Sequence, residues 1–142
     1  MNIKTVGVAG LGLLGRGIAA CLLGHGIRVV AFTRKEATHH EARKYITRAM
    51  VDLVQRAGFA EELVHQWAQR YEPVTSLEPL AGSDFVIESV VEDVHTKQEV
   101  FDQLEALVAA DIPIASNTSA LPITHLQRGR RHPERFLGMH WA

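Results

Sequence analysis

The sequence predicts the α/β fold class, with a doubly wound parallel sheet and helices on both faces. Three observations carry that prediction. Short β-branched runs alternate with longer stretches of helical apolar spacing along the chain. The first such run opens at once into a glycine-rich turn followed by a helix-compatible stretch. The composition is that of a globular chain, 46% hydrophobic and 22% charged over 142 residues, which suits one domain with one sizeable core.

The elements follow in order. A first strand is expected over 3–9 and a helix over 13–25. A β-branched run, Arg28-Val29-Val30-Ala31-Phe32, makes a second strand over 28–33. A long helix over 36–57 is ended by Gly58. A second helical stretch over 60–70 precedes Pro73, with a short strand at 73–76. The segment 36–70 exceeds what a minimal crossover needs and is expected to form a helical excursion beyond the sheet edge. Ser83-Asp84 leads into a strand over 85–89. A helix over 95–110 carries Val100, Leu104, Leu107 and Val108 at helical spacing. A strand over 112–116, a short helix over 122–127 and a last strand over 135–139 complete the pattern. The default strand order for this alternation is 3-2-1-4-5-6.

The glycines of the first turn, Gly10, Gly12 and Gly15, read Gly-x-Gly-x-x-Gly. Strand, turn, helix and strand within about thirty residues make this a dinucleotide-binding fingerprint rather than a bare glycine pattern. Gly10 allows the sharp turn out of the strand. Gly12 lets a pyrophosphate approach the backbone, and Gly15 lets the helix pack close to the sheet. The helix start presents free N–H groups and the positive end of its dipole. Gly10, Leu11, Gly12, Leu13, Leu14 and Gly15 are therefore expected to bind the cofactor, and Gly17 to be a packing glycine. An acidic residue commonly ends the second strand to meet the ribose of NAD, but here Thr33, Arg34 and Lys35 stand there. An arginine at this place can accept a 2′-phosphate, so Thr33 and Arg34 are expected in the site and favour NADP slightly over NAD.

The formal net charge of −1 argues against a nucleic-acid partner. No apolar run approaches membrane-spanning length. Met1 to Thr5 lead directly into the first strand, so no signal peptide is visible. Cys21 is the sole cysteine, which fits a reducing compartment, and a cytoplasmic location is expected. No metal site is expected.

Further motifs give the chain a resemblance. They are Gly10-Leu-Gly-Leu-Leu-Gly-Arg-Gly17, Asp84-Phe-Val-Ile-Glu-Ser-Val-Val-Glu-Asp93 with Lys97 following, Ala115-Ser-Asn-Thr-Ser-Ala120, and Phe136-Leu-Gly-Met-His140. In this order they resemble the N-terminal NAD(P)-binding domain of the 3-hydroxyacyl-CoA dehydrogenase family, whose cofactor domain is Rossmann-like. Gulonate dehydrogenases and lambda-crystallins share the architecture. The resemblance covers nearly the whole chain but only about the first half of a family member. It implies an oxidoreductase of fatty acid metabolism, moving a hydride between 3-hydroxyacyl-CoA, or a related 3-hydroxy acid, and a nicotinamide dinucleotide. It implies His140 as the catalytic histidine and Ser119 as the serine that hydrogen-bonds the substrate oxygen. Glu92 and Lys97 match residues that meet the cofactor, and Asn117 lies on the same strand-end loop as Ser119. It also implies an acyl-CoA as the small-molecule substrate and a homodimeric parent. The helical C-terminal domain and the glutamate that orients the histidine would lie beyond residue 142, so the chain by itself is expected to be inactive.

Other readings of the same residues stand beside these. His140 could be a structural histidine at a strand end. Residues 116–119 could be a turn whose hydroxyls cap a helix. Glu92 and Lys97 could be a solvated helix start. Arg43, Lys44, Arg48 and Arg56 form either a solvated helix face or a contact for coenzyme A phosphates. At the level of function, the alternative is a non-catalytic dinucleotide-binding module, crystallin-like or redox-sensing.

Overall fold

The computed structural model describes residues 1–141. Six strands form one sheet in the order β3-β2-β1-β4-β5-β6, and every pairing is parallel. The strands are β1 (Thr5–Ala9), β2 (Arg28–Phe32), β3 (Tyr71–Val74), β4 (Phe85–Glu88), β5 (Ile114–Ser116) and β6 (Phe136–Gly138). The helices are α1 (Leu13–Gly24), α2 (Glu36–Ala57), α3 (Glu61–Val64), α4 (Val94–Leu107) and α5 (Ile123–Gln127). The expected strand order and alternation are both present.

The period-two alternation of the strands sorts their side chains between two apolar layers. Val6, Val8, Val29, Ala31 and Ile87 face α1 and α2, where Ile18, Leu23, Ala42, Ile46 and Met50 close the layer. Val30, Phe32, Val86 and Ile114 face α4, meeting Val100, Phe101 and Leu104. Because both faces are covered, strands such as β2 read as continuous apolar runs rather than alternating ones. Phe101 and Leu104 are wholly buried, and each such side chain contributes about 1.5–3 kcal/mol through removal from water. No helix among the described residues is long and apolar enough to cross a membrane.

Residues 36–70 form the helical excursion, but α2 does not stand free of the sheet. Ala42, Ile46 and Met50 recur every four residues and pack it onto α1. The helix expected over 60–70 is broken. After α3 the chain turns at Gln66, which has φ of 59°, and resumes as a 3-10 turn over Trp67–Arg70. The third strand starts at Tyr71, before the expected 73. It is the edge strand, where Pro73 is tolerated opposite Ala31. Helix α4 ends three residues early, and Arg135 donates to the carbonyls of Val108 and Ala109 beyond it. Gly17 is not a close-packing position: an added Cβ would sit 3.6 Å from the Tyr45 hydroxyl, an ordinary contact.

Candidate functional site

A cleft of about 600 Å³ runs across the C-terminal ends of β1, β2 and β4 and reaches the end of β5. Gly10 to Leu14 form its middle, Phe32 to Lys35 and Thr38 one end, and Ser89 to Glu92 with Asn117 the other. Open parallel sheets place ligands here, where strand order reverses between β1 and β4.

The three glycines do different things. Gly10 has φ of 110°, and a Cβ there would meet the Ser89 carbonyl oxygen at 2.4 Å. A Cβ on Gly15 would lie 2.0 Å from the Gly10 carbonyl oxygen. These two are required by the protein itself. Gly12 has an ordinary φ of −65°, and a Cβ there would meet no protein atom within 4 Å. Its side-chain direction opens on free space at the start of α1. No side chain caps that helix start, so its first N–H groups remain available to an anion. A pyrophosphate fits this cradle.

At the β2 end, Thr33, Arg34 and Lys35 line the cleft with no carboxylate among them. His39, in the first turn of α2, bridges the Thr33 and Val74 carbonyl oxygens through Nε2, at 3.1 and 2.9 Å. Two acceptors on one ring nitrogen fix it as the N–H donor. Further along α2, Arg43 lies over the rings of Trp67 and Tyr71. Lys44 pairs with Glu41, and Arg56 with Asp52. Of the four basic residues, Arg48 is the one with no such partner among the described residues.

The β4–β5 end is a side-chain network. Glu88, at the end of β4, is wholly buried. It accepts hydrogen bonds from Lys97 Nζ at 2.6 Å, Ser116 Oγ at 2.6 Å and the Val90 N–H at 2.8 Å. Lys97 also donates to the Val90 carbonyl at 3.2 Å and lies 3.8 Å from Glu92. Glu92 accepts from the Thr118 hydroxyl at 2.6 Å and from the Ser119 N–H at 3.2 Å, with Ser119 Oγ at 3.4 Å. The Thr118 hydroxyl, the Ser119 N–H and the Lys97 ammonium together hold the Glu92 carboxyl below the ordinary carboxylate value, against a smaller effect of burial. Asp93 caps α4 by accepting from the Thr96 N–H and hydroxyl, both at 2.8 Å.

Asn117 straps three strand ends together. Its amide nitrogen donates to Ser89 Oγ at 3.2 Å, and its amide oxygen accepts the Trp141 N–H at 2.8 Å. The Met139 N–H donates to the Ser116 carbonyl at 2.9 Å. His140 is thus flanked by two bonded N–H groups, Met139's on the Ser116 carbonyl and Trp141's on the Asn117 side chain, with its exposed ring carrying no hydrogen bond among the described residues.

Of the residues expected in the site, Gly10 to Leu14, Thr33, Arg34, Glu92 and Asn117 line the cleft. Gly15 stands behind it as a packing position. Ser119 joins the cleft wall through Glu92, and His140 lies beyond Asn117. Lys97 is only 1% exposed and lies behind the wall, not on it. Sequence reasoning missed Glu88, although a carboxylate at the end of an apolar strand signals a buried pair. It also missed that Lys97 shares the stripe of Val100, Phe101 and Leu104, which places it on the buried face of α4.

Comparison with known proteins matches residues 5–142 to the family described as "3-hydroxyacyl-CoA dehydrogenase, NAD binding domain". A 5-formyl-3-hydroxy-2-methylpyridine 4-carboxylate 5-dehydrogenase of Mesorhizobium japonicum is 34% identical over 99% of this chain and 45% of its own length. A 3-hydroxybutyryl-CoA dehydrogenase of Mycobacterium tuberculosis is 34% identical over 98% of this chain and 49% of its own length. The crystal structure of 3-hydroxybutyryl-CoA dehydrogenase from Escherichia coli K12 superposes with a TM-score of 0.91 at 30% identity, covering 99% of this chain and 30% of that one. The chain therefore spans half or less of the length of these relatives.

Proposed function

This chain belongs to the 3-hydroxyacyl-CoA dehydrogenase family as its NAD-binding domain, and from that premise we propose that it holds a nicotinamide dinucleotide for oxidation of a 3-hydroxyacyl-CoA or related 3-hydroxy acid. The observation that carries the reading is Gly12. It is the one glycine of the turn whose bare Cα is needed by nothing in the protein, and it faces the cleft at an uncapped helix start. Gly12 to Leu14 would hold the pyrophosphate, Thr33 and Arg34 would meet the adenosine half, and Val90 to Glu92 with Asn117 the nicotinamide half.

When bound, the nicotinamide supplies the acceptor for the hydride that leaves the substrate's carbinol carbon. The chain's own residues manage the proton and the geometry. His140 takes the hydroxyl proton as the C–H bond breaks, leaving a 3-keto product. Ser119 donates a hydrogen bond to the reacting oxygen, with Glu92 fixing its main chain. Lys97 acts on the cofactor from behind the wall, through Val90 and Glu92. The His140 ring lacks a carboxylate partner among the described residues, so neither tautomer is enforced, and turnover by residues 1–142 alone is expected to be negligible.

The family and the relative described as an NAD+-dependent dismutase support NAD as the cofactor. The finer reading, that NADP(H) is accepted as well, rests on Thr33 and Arg34, since neither repels a 2′-phosphate. The experiment is a calorimetric titration of the chain and of its Gly12→Val variant with NAD(H) and NADP(H). We expect the folded variant to lose binding of both. Unchanged affinity in a folded Gly12→Val variant removes the reading, and a strong NAD(H) preference in the unmodified chain makes Arg34 a bystander.

A further inference from the structure

We propose that Glu88 is a positioning residue for the nicotinamide half of the site, shaping the cleft wall without touching the ligand. The inference rests on the dinucleotide reading above and goes beyond it. Glu88 is wholly buried and does not line the cleft, yet its carboxylate organises three things that do or that border it. It holds the N–H of Val90, a wall residue, at 2.8 Å. It holds the ammonium of Lys97 at 2.6 Å, and that ammonium takes the Val90 carbonyl at 3.2 Å. Both polar main-chain groups of Val90 are therefore fixed by one buried ion pair. It also accepts from Ser116 Oγ at 2.6 Å, at the start of the turn that carries Asn117, Thr118 and Ser119.

The second link is electrostatic. The Lys97 ammonium lies between Glu88 and Glu92, 3.8 Å from the latter. Glu92 in turn holds Thr118 and Ser119. Without the Glu88 charge, Lys97 has a single carboxylate to turn to, and that carboxylate is the one that orients the Ser119 turn. The predicted consequence is a displacement of Glu92 and of the wall at Val90. The Gly10 to Leu14 cradle has its own main-chain bonds and should remain in place.

The test separates the two halves of the ligand. ADP-ribose carries the adenosine and pyrophosphate of NAD+ but no nicotinamide. The chain and its Glu88→Gln variant are titrated with both, and folding is checked by circular dichroism and thermal melting. Loss of a charged hydrogen bond at the wall should weaken NAD+ about tenfold while ADP-ribose changes by less than about twofold. Parallel weakening of both ligands, or no change in either, overturns the proposal, because a merely structural residue gives one of those patterns. If Glu88→Gln does not fold, Glu88→Asp, which keeps the charge beside Lys97 but draws the carboxylate back from the Val90 N–H and Ser116 Oγ, is read by the same ratio. An unmodified chain that binds neither ligand fails the dinucleotide reading itself, and the proposal falls with it. A chain that binds both, with variants that keep the ratio, fails the proposal alone.

Discussion

Where the cleft crosses the end of β1 its wall is shaped by main chain, a tight turn at Gly10 and the open start of α1. At the β4–β5 end it is a web of side chains, in which Glu88, Lys97 and Glu92 hold one another and the turn at residues 116–119. The first end derives its shape from residues that lack side chains, the second from charges that cannot stand alone. The contrast fixes how each should fail. A backbone-built wall breaks when an atom is added, and a charge-built wall when a partner is removed.

The largest effect is expected at the charge-built end. Lys97→Met leaves Glu88 buried beside no cation, which should destabilise the chain by about 3–5 kcal/mol. Urea denaturation measures it, and adding Glu88→Leu should restore much of the loss, since an apolar pair needs no partner. A single variant as stable as the unmodified chain would show that the pair bears no weight.

A smaller effect is expected at the backbone-built end. Gly10→Ala forces an L side chain to φ of 110° and a Cβ against the Ser89 carbonyl, and strain of that kind costs about 1–3 kcal/mol. Gly12→Ala meets no protein atom and should change stability by less than Gly10→Ala in the same denaturation series. Equal losses at the two glycines would erase the distinction drawn between them.

The smallest effect concerns acid. The Glu92 carboxyl is held below its ordinary value of 4.5 in the folded chain. A depressed value means that its stabilising contribution is complete above the unfolded value. That contribution is lost as pH falls through the folded one. The amide resonances of Thr118 and Ser119, followed by NMR against pH, should shift with a midpoint below 4.5. A midpoint at or above that value would detach Glu92 from the turn.

The same contrast explains what the sequence makes legible. The glycine turn and the strand order are visible because they follow from local residue types and from period. Thr33 and Arg34 are located by counting from Gly10. The third strand is less visible. Pro73 suggests a strand beginning at 73, whereas the edge of the sheet accommodates proline within a strand that starts at Tyr71. The break at Gln66 leaves no local sign: Gln66 is exposed, and the segment around it is tied down from a distance by Arg70, whose guanidinium donates to the carbonyls of Leu23, Leu63 and His65. At the site, Lys97 reads as a cofactor contact because the motif places it near one. Its burial comes from Glu88, nine residues earlier in the chain, and the partner chosen by a buried charge is a fact of three dimensions.

The strap at Asn117 also has a consequence in time. The bond between Arg16 Nε and the Leu11 carbonyl spans 5 residues, so the glycine turn can form from a short piece of chain. The bonds from Asn117 to Ser89 and Trp141 span 28 and 24 residues, and closing such loops requires the crossover through α4 and the docking of β6. The two halves of one cleft should therefore mature at different moments of refolding. Pulse-labelled hydrogen exchange should protect the amides of α1 before those of Asn117 and Trp141, and the opposite order would mean that the strap nucleates the domain.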